Sequence, residues 1–137
     1  MTSPPCTLCS WPEEELLASS AEAKAFFVRQ PARPGHLAVA TRRHVLSLAD
    51  LTPSEAAELF ALAREVAVAA APILAAEKFY LAAVADVDLH FHIHLLPKVA
   101  GERPLGPFLF SESGWQGPDP APRNGELEAR IARELNG

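Results

Sequence analysis

His90-Phe91-His92-Ile93-His94-Leu95-Leu96-Pro97 is the stretch on which the reading of this chain turns. Three of the five histidines fall here, at every second residue, with apolar side chains between them. Side chains alternate faces along a strand. As a strand, the segment puts three imidazoles on one face and Phe91, Ile93 and Leu95 on the other. As a helix, it would send His90 and His92 apart and give the apolar residues no stripe. Neighbouring histidines on a strand stand roughly 6.5 Å apart at Cα, and the three span about 13 Å. Zinc holds its nitrogens at about 2.0–2.1 Å. Two neighbours can share an ion, but three on a straight strand cannot. The three histidines are therefore expected to divide the work.

Composition bounds the rest. The chain has 137 residues, which suits a single domain over 1–137 with one core. It is 49% hydrophobic and 21% charged, a globular balance. A net charge of −5 gives no basic footprint, so a nucleic-acid partner is not expected. Small anions need only a local site and stay open. No apolar run reaches membrane-spanning length, so no membrane partner is expected. The start, MTSPPCTLCSWPEEE, lacks the basic and apolar regions of a signal peptide. The expected compartment is the cytoplasm, with the two cysteines reduced or metal-bound.

Cys6-Thr7-Leu8-Cys9 fits a redox pair poorly, because only five residues precede it. As half of a zinc site it needs two more ligands; as a pair of buried thiols it needs none. Ser10 to Ser19 reads as a short helix, with Ser10 and Glu13 as a capping box. Residues 24–30 and 36–41 read as a hairpin around Pro31-Ala32-Arg33-Pro34-Gly35. His36 reads as a structural donor and His44 as a loop histidine. Thr52-Pro53-Ser54-Glu55 starts a helix expected to end near Ala71, before Pro72. Leu59, Leu62, Val66 and Ala69 would face the core. Residues 78–85 read as a strand, with Asp86 and Asp88 flanking the turn into the histidines. A short strand is expected at 107–110, and Ser111, Ser113 and Trp115 are candidates to line a pocket. The last helix, about 125–135, presents Leu127, Ile131 and Leu135. The fold class expected is α+β: an antiparallel sheet of about five strands with one long helix and one or two short ones.

HFHIHLLPK (90–98) resembles the signature of the histidine-triad (HIT) family, and PARPGHLAVATRRHV (31–45) is similar to a second family segment. The resemblance runs from Cys6 to about Trp115. It implies a nucleotide hydrolase or transferase acting at the α-phosphate, on a dinucleoside polyphosphate or nucleoside phosphoramidate. His92, the middle histidine, would be the nucleophile, forming a nucleotidyl-histidine. A backbone carbonyl near His90 would fix its tautomer. His94 would contact phosphate or leaving group, with Lys98 and Trp115 as further substrate contacts. In the zinc-bearing members that begin with C-x-x-C, the ligands carry over as Cys6, Cys9, His44 and His90. This is a closed Cys2His2 set of structural type. Homodimers are common in the family.

The sequence also departs from the family. Gln usually stands four residues before the first histidine, followed by Ser, Thr or Gly. Here these positions hold Asp86 and Val87. Carboxylates where phosphate donors are expected point to another way of holding the phosphate, an unusual substrate, or binding without turnover. A cupin-like catalytic metal on His90 and His92 is a further reading, disfavoured by the length spent on helices.

Overall fold

The computed structural model of the chain describes residues 6–107 and 123–137. Ser111, Ser113, Trp115 and all but the first residue of the strand expected at 107–110 lie outside the described residues.

The long helix begins where the sequence signals it. Thr52 Oγ1 accepts from the Glu55 N–H at 3.0 Å, and the Glu55 carboxylate accepts from the Thr52 N–H at 2.8 Å. This reciprocal cap satisfies two orphan donors, and α1 runs Pro53–Leu74. It passes the end expected near Ala71. Inside a helix Pro72 costs a hydrogen bond, but here only the last turn lies beyond it. Ala75, at φ +53°, donates its N–H to the Ala71 and Pro72 carbonyls and closes that end. Leu59, Leu62, Val66 and Ala69 are buried, as their helical spacing implies.

Glu55 also binds Arg43, with Nε at 3.0 Å and Nη2 at 2.7 Å. The guanidinium and the Thr52 N–H hold the Glu55 carboxyl down at about 2, against an ordinary 4.5. The folded state therefore binds its proton later than the unfolded one. This contribution to stability is complete above pH 4.5 and is lost as pH falls towards 2. Glu55→Gln is expected to flatten the acid limb of stability in that window, as read by denaturant unfolding at a series of pH values.

The sheet is antiparallel throughout. Its strands are β1 (Ala18–Ser19), β2 (Ala23–Phe27), β3 (Leu37–Thr41), β4 (Ala76–Ala82) and β5 (His92–Val99), in spatial order β1-β2-β3-β5-β4. The hairpin turn ends in Gly35, at φ +83°, where an added Cβ would lie 2.5 Å from Leu74 Cδ1. Only glycine suits that turn, and it delivers His36 to the start of β3. One face of the sheet packs on α1 through Val39, Phe91, Ile93 and Leu95. α2 (Gly125–Asn136) packs on the same core through Ile131, with Leu127 and Leu135 beside it. The α+β class with a five-stranded antiparallel sheet is thus observed.

Two local expectations fail. Ser10 does not cap a helix: its hydroxyl donates to the Cys6 carbonyl at 2.9 Å, and only Glu13–Glu15 form a 3-10 turn. Pro12 precedes that turn in extended conformation, and Ala18–Ser19 are then drawn into the sheet opposite Ala25 and Lys24. The strand expected over 78–85 is displaced to Ala76–Ala82. Ala85, at φ +54°, turns the chain away from the sheet. Among the described residues, no helix is long and apolar enough to cross a membrane.

Candidate active site and metal centre

Alternation along 90–96 sorts the side chains as expected. Phe91, Ile93 and Leu95 enter the core beneath α1, and the histidines take the opposite face. Register places Ala40 opposite His92, with Ala38 and Ala82 opposite His94. The residues flanking these imidazoles across the sheet therefore carry only methyl groups.

Hydrogen bonding fixes which nitrogen of each imidazole carries the proton. A carbonyl only accepts, so His92 Nδ1–H donates to the His90 carbonyl at 2.7 Å. That leaves Nε2 of His92 with its lone pair. His94 Nε2 lies 3.1 Å away and must be the donor. His94 Nδ1 is then an acceptor, served by His36 Nε2–H at 2.8 Å. His36 Nδ1 in turn accepts from the Ala32 N–H at 3.0 Å. Starting from Ala32 gives the same assignment as starting from His90. The chain of three neutral rings has one consistent direction, and it ends on His92 Nε2.

Burial keeps His94 and His36 neutral. It pushes the His94 pKa down to about 3, with the neighbouring His36 and His92 adding to the shift. His36 is pushed down to about 4, by burial first and then by Arg33 and His92. His36 is the site residue that sequence reasoning passed over as structural. Its signal was present in Pro34-Gly35-His36, but only the fold brings it to His94, 58 positions away. His36→Ala is expected to lower kcat on the order of 10- to 100-fold, the range found when the hydrogen bond that orients a metal-ligating histidine is lost. KM should change little, and the measurement is steady-state kinetics of the variant.

His90 does different work. Its Nδ1 lies 3.3 Å from Cys6 Sγ and 3.4 Å from Cys9 Sγ, and His44 Nδ1 lies 3.3 Å from Cys9 Sγ. All four ligand atoms fall within 4.8 Å of one another. A tetrahedral zinc with ordinary bond lengths sets sulfur and nitrogen about 3.5 Å apart. The residues therefore fit the ion in kind, number and spacing. His90 Nε2–H donates to the Thr41 carbonyl at 2.7 Å, which frees Nδ1 for a metal. Burial lowers the His90 pKa, which favours the neutral ring a metal needs. His90 and His92 face different partners, so they do not form one H-x-H metal pair.

Comparison with known proteins gives this arrangement its context. The HIT domain family model matches residues 13–101. The chain belongs to the HIT family. Its cysteine pair lies ahead of the matched stretch. A bis(5'-nucleosyl)-tetraphosphatase [asymmetrical] of Schizosaccharomyces pombe is 31% identical over 93 residues, covering 64% of this chain and 51% of that protein. The chain thus spans about half the length of that relative. In fold, it is similar to a zinc-bound histidine triad family protein from Mycobacterium smegmatis. The TM-score is 0.73, at 19% identity, covering 96% of this chain and 91% of the other. A diadenosine triphosphate hydrolase of Plasmodium falciparum gives a TM-score of 0.66 at 15% identity, covering 91% and 76%.

Other candidate residues of this HIT chain are less central. Lys98 is buried and paired with Glu77 at 2.9 Å. Six positions along β5 from His92 is on the order of 20 Å, so Lys98 is out of reach of a phosphorus at His92. Asp86 and Asp88 are exposed, in the turn that leads to His90.

Proposed function

We propose that this protein is a nucleotide hydrolase that works at the α-phosphate through a covalent nucleotidyl-His92. The observation that carries the reading is the fixed tautomer of His92: Nδ1–H is held by the His90 carbonyl, and the Nε2 lone pair is left for attack. In the first step Nε2 bonds to the α-phosphorus in line, and the bond to the leaving group breaks with its electron pair, a phosphate oxygen departing as the anion and a nitrogen taking up a proton from water to depart as the amine. The His90 carbonyl stabilises the positive charge that develops on the ring. In the second step water attacks the same phosphorus, the N–P bond returns its pair to Nε2, and the monophosphate leaves. Two easier displacements replace one hard one.

His94 Nε2–H, which donates to His92 Nε2 at 3.1 Å, would pass to a phosphoryl oxygen as the phosphorus takes up that lone pair, and so is the donor for the phosphoryl group. His36 holds it there without adding charge. Lys98 would meet only a distal part of an extended substrate, on exchanging Glu77 for it. Dinucleoside polyphosphates and nucleoside phosphoramidates are the substrates proposed. The tetraphosphatase relative supports the first class. Incubation with diadenosine tri- and tetraphosphate and adenosine phosphoramidate, followed by chromatography, should release nucleoside monophosphate from at least one. A protein that binds these compounds tightly and releases none is instead a nucleotide-binding protein on the same scaffold, the reading that Asp86 and Val87 favour.

In this reading Cys6, Cys9, His44 and His90 hold a structural zinc ion, which ties the N-terminal segment to the strand bearing His92. The protein would act as a homodimer. β4 is the last strand of the sheet among the described residues. Beside it an apolar cleft of about 380 Å³ is lined by Leu46, Leu48, Phe60, Leu81 and Val84, large side chains that are all exposed. An open edge next to an exposed apolar surface favours self-pairing.

A further inference from the structure

Lys24 is at odds with its surroundings. It stands on β2, opposite Ala40, and is 4% exposed. None of the ion pairs among the described residues involves it. A buried ammonium is costly unless its donors are used. Lys24 Nζ donates to the carbonyl of Leu8, which lies inside the Cys6–Cys9 loop.

Leu8 and Cys9 share one peptide unit. Leu8 supplies its carbonyl and Cys9 its N–H, and in a planar trans peptide the two point in opposite directions. The carbonyl end is held by Lys24, with the Trp11 N–H a longer second donor at 3.5 Å. At the other end the Cys9 N–H donates to Cys6 Sγ at 3.3 Å. The rest of the loop is braced separately, by Ser10 N–H and Oγ–H, both donating to the Cys6 carbonyl. The shorter of the two contacts on the carbonyl of the peptide that faces the sulfur thus comes from an amine 16 residues away in sequence.

We propose that Lys24 is a positioning residue of the metal centre: by gripping the Leu8 carbonyl it aims the Cys9 N–H at the Cys6 sulfur. The inference rests on reading Cys6, Cys9, His44 and His90 as a zinc site. A metal needs thiolate sulfur, and an N–H aimed at that sulfur stabilises its negative charge. The nearby ammonium adds to the same effect. Contacts of this supporting kind are typically worth 10- to 100-fold in metal affinity.

The test is Lys24→Met, which keeps an unbranched buried side chain and removes the donor. Exchange of a buried charge for an apolar side chain is often tolerated by a fold. Zinc affinity is measured by chelator competition, melting is followed with and without zinc, and the sulfur-to-cobalt charge-transfer band is recorded with Co²⁺ in place of zinc. The expected result is a zinc affinity 10- to 100-fold weaker, a shifted cobalt band, and an unchanged melting temperature without metal. Wild-type affinity and band position in the variant would overturn the proposal. So would an equal loss of melting temperature in both forms with affinity retained, since Lys24 would then only pack. If Lys24→Met does not fold, the zinc-loaded wild type still decides: an anchored ammonium gives a resolved, slowly exchanging proton signal by NMR, and a rapidly exchanging one overturns the anchor. Failure of the wild type to bind zinc shows in its own titration, and overturns the zinc reading along with this one.

Discussion

His92→Asn is expected to lower turnover of the best substrate about 10⁴-fold or more while leaving the fold in place. Loss of a covalent nucleophile removes a reaction path instead of weakening one contact, which is why the effect is large. Asparagine is the informative replacement. Its side-chain amide can still donate to the His90 carbonyl, the bond His92 Nδ1 makes at 2.7 Å, so the strand keeps its local support. What it lacks is a nucleophilic nitrogen where Nε2 stands, 3.1 Å from His94. The measurement is release of nucleoside monophosphate by wild type and variant at equal zinc content. Activity within tenfold of wild type would show that water attacks the phosphorus directly and that the relay only binds.

Zinc removal is expected to lower the melting temperature on the order of 10 °C, reversibly on return of the ion. An ion present at about 1,000 times its Kd stabilises a native state by about 4 kcal/mol, and each kcal/mol shifts the melting of a domain of this size by a few degrees. The four ligands come from the N-terminal loop, the residues after β3 and the approach to β5. Chelation should therefore release the Cys6–Ser10 loop first. Turnover at temperatures where the metal-free protein remains folded is expected to stay within about an order of magnitude of the loaded form. A fall to background there, restored by zinc, would mean that the ion takes part in catalysis. Melting with and without chelator, followed by assay at a low temperature, separates the two.

Much of this was legible in the sequence because it is local. Alternation along 90–96 gave the two faces, although the strand itself lies two residues later than expected, at His92–Val99, with His90 and Phe91 leading into it, and Thr52-Pro53-Ser54-Glu55 gave the helix start to the residue. The metal ligands were not legible from spacing alone, since a lone C-x-x-C needs partners that only resemblance or structure supplies. His36 and Lys24 were missed for a common reason. Each works through one long-range contact, to His94 and to Leu8, and neither contact leaves a periodic trace. The fate of Ser10 shows the opposite error. A capping pattern was present, but the hydroxyl found the Cys6 carbonyl four residues back, and the chain was drawn into the sheet beyond it.

The central claim is that His92 Nε2 bonds to phosphorus, and the stereochemistry at that phosphorus tests it most directly. A substrate with a chiral phosphorothioate at the α-position would be hydrolysed in ¹⁸O-water, and the configuration of the monophosphorothioate product determined. Two successive in-line displacements, the first by His92 and the second by water, predict net retention. Inversion would mean a single displacement by water, and would contradict the covalent nucleotidyl-histidine.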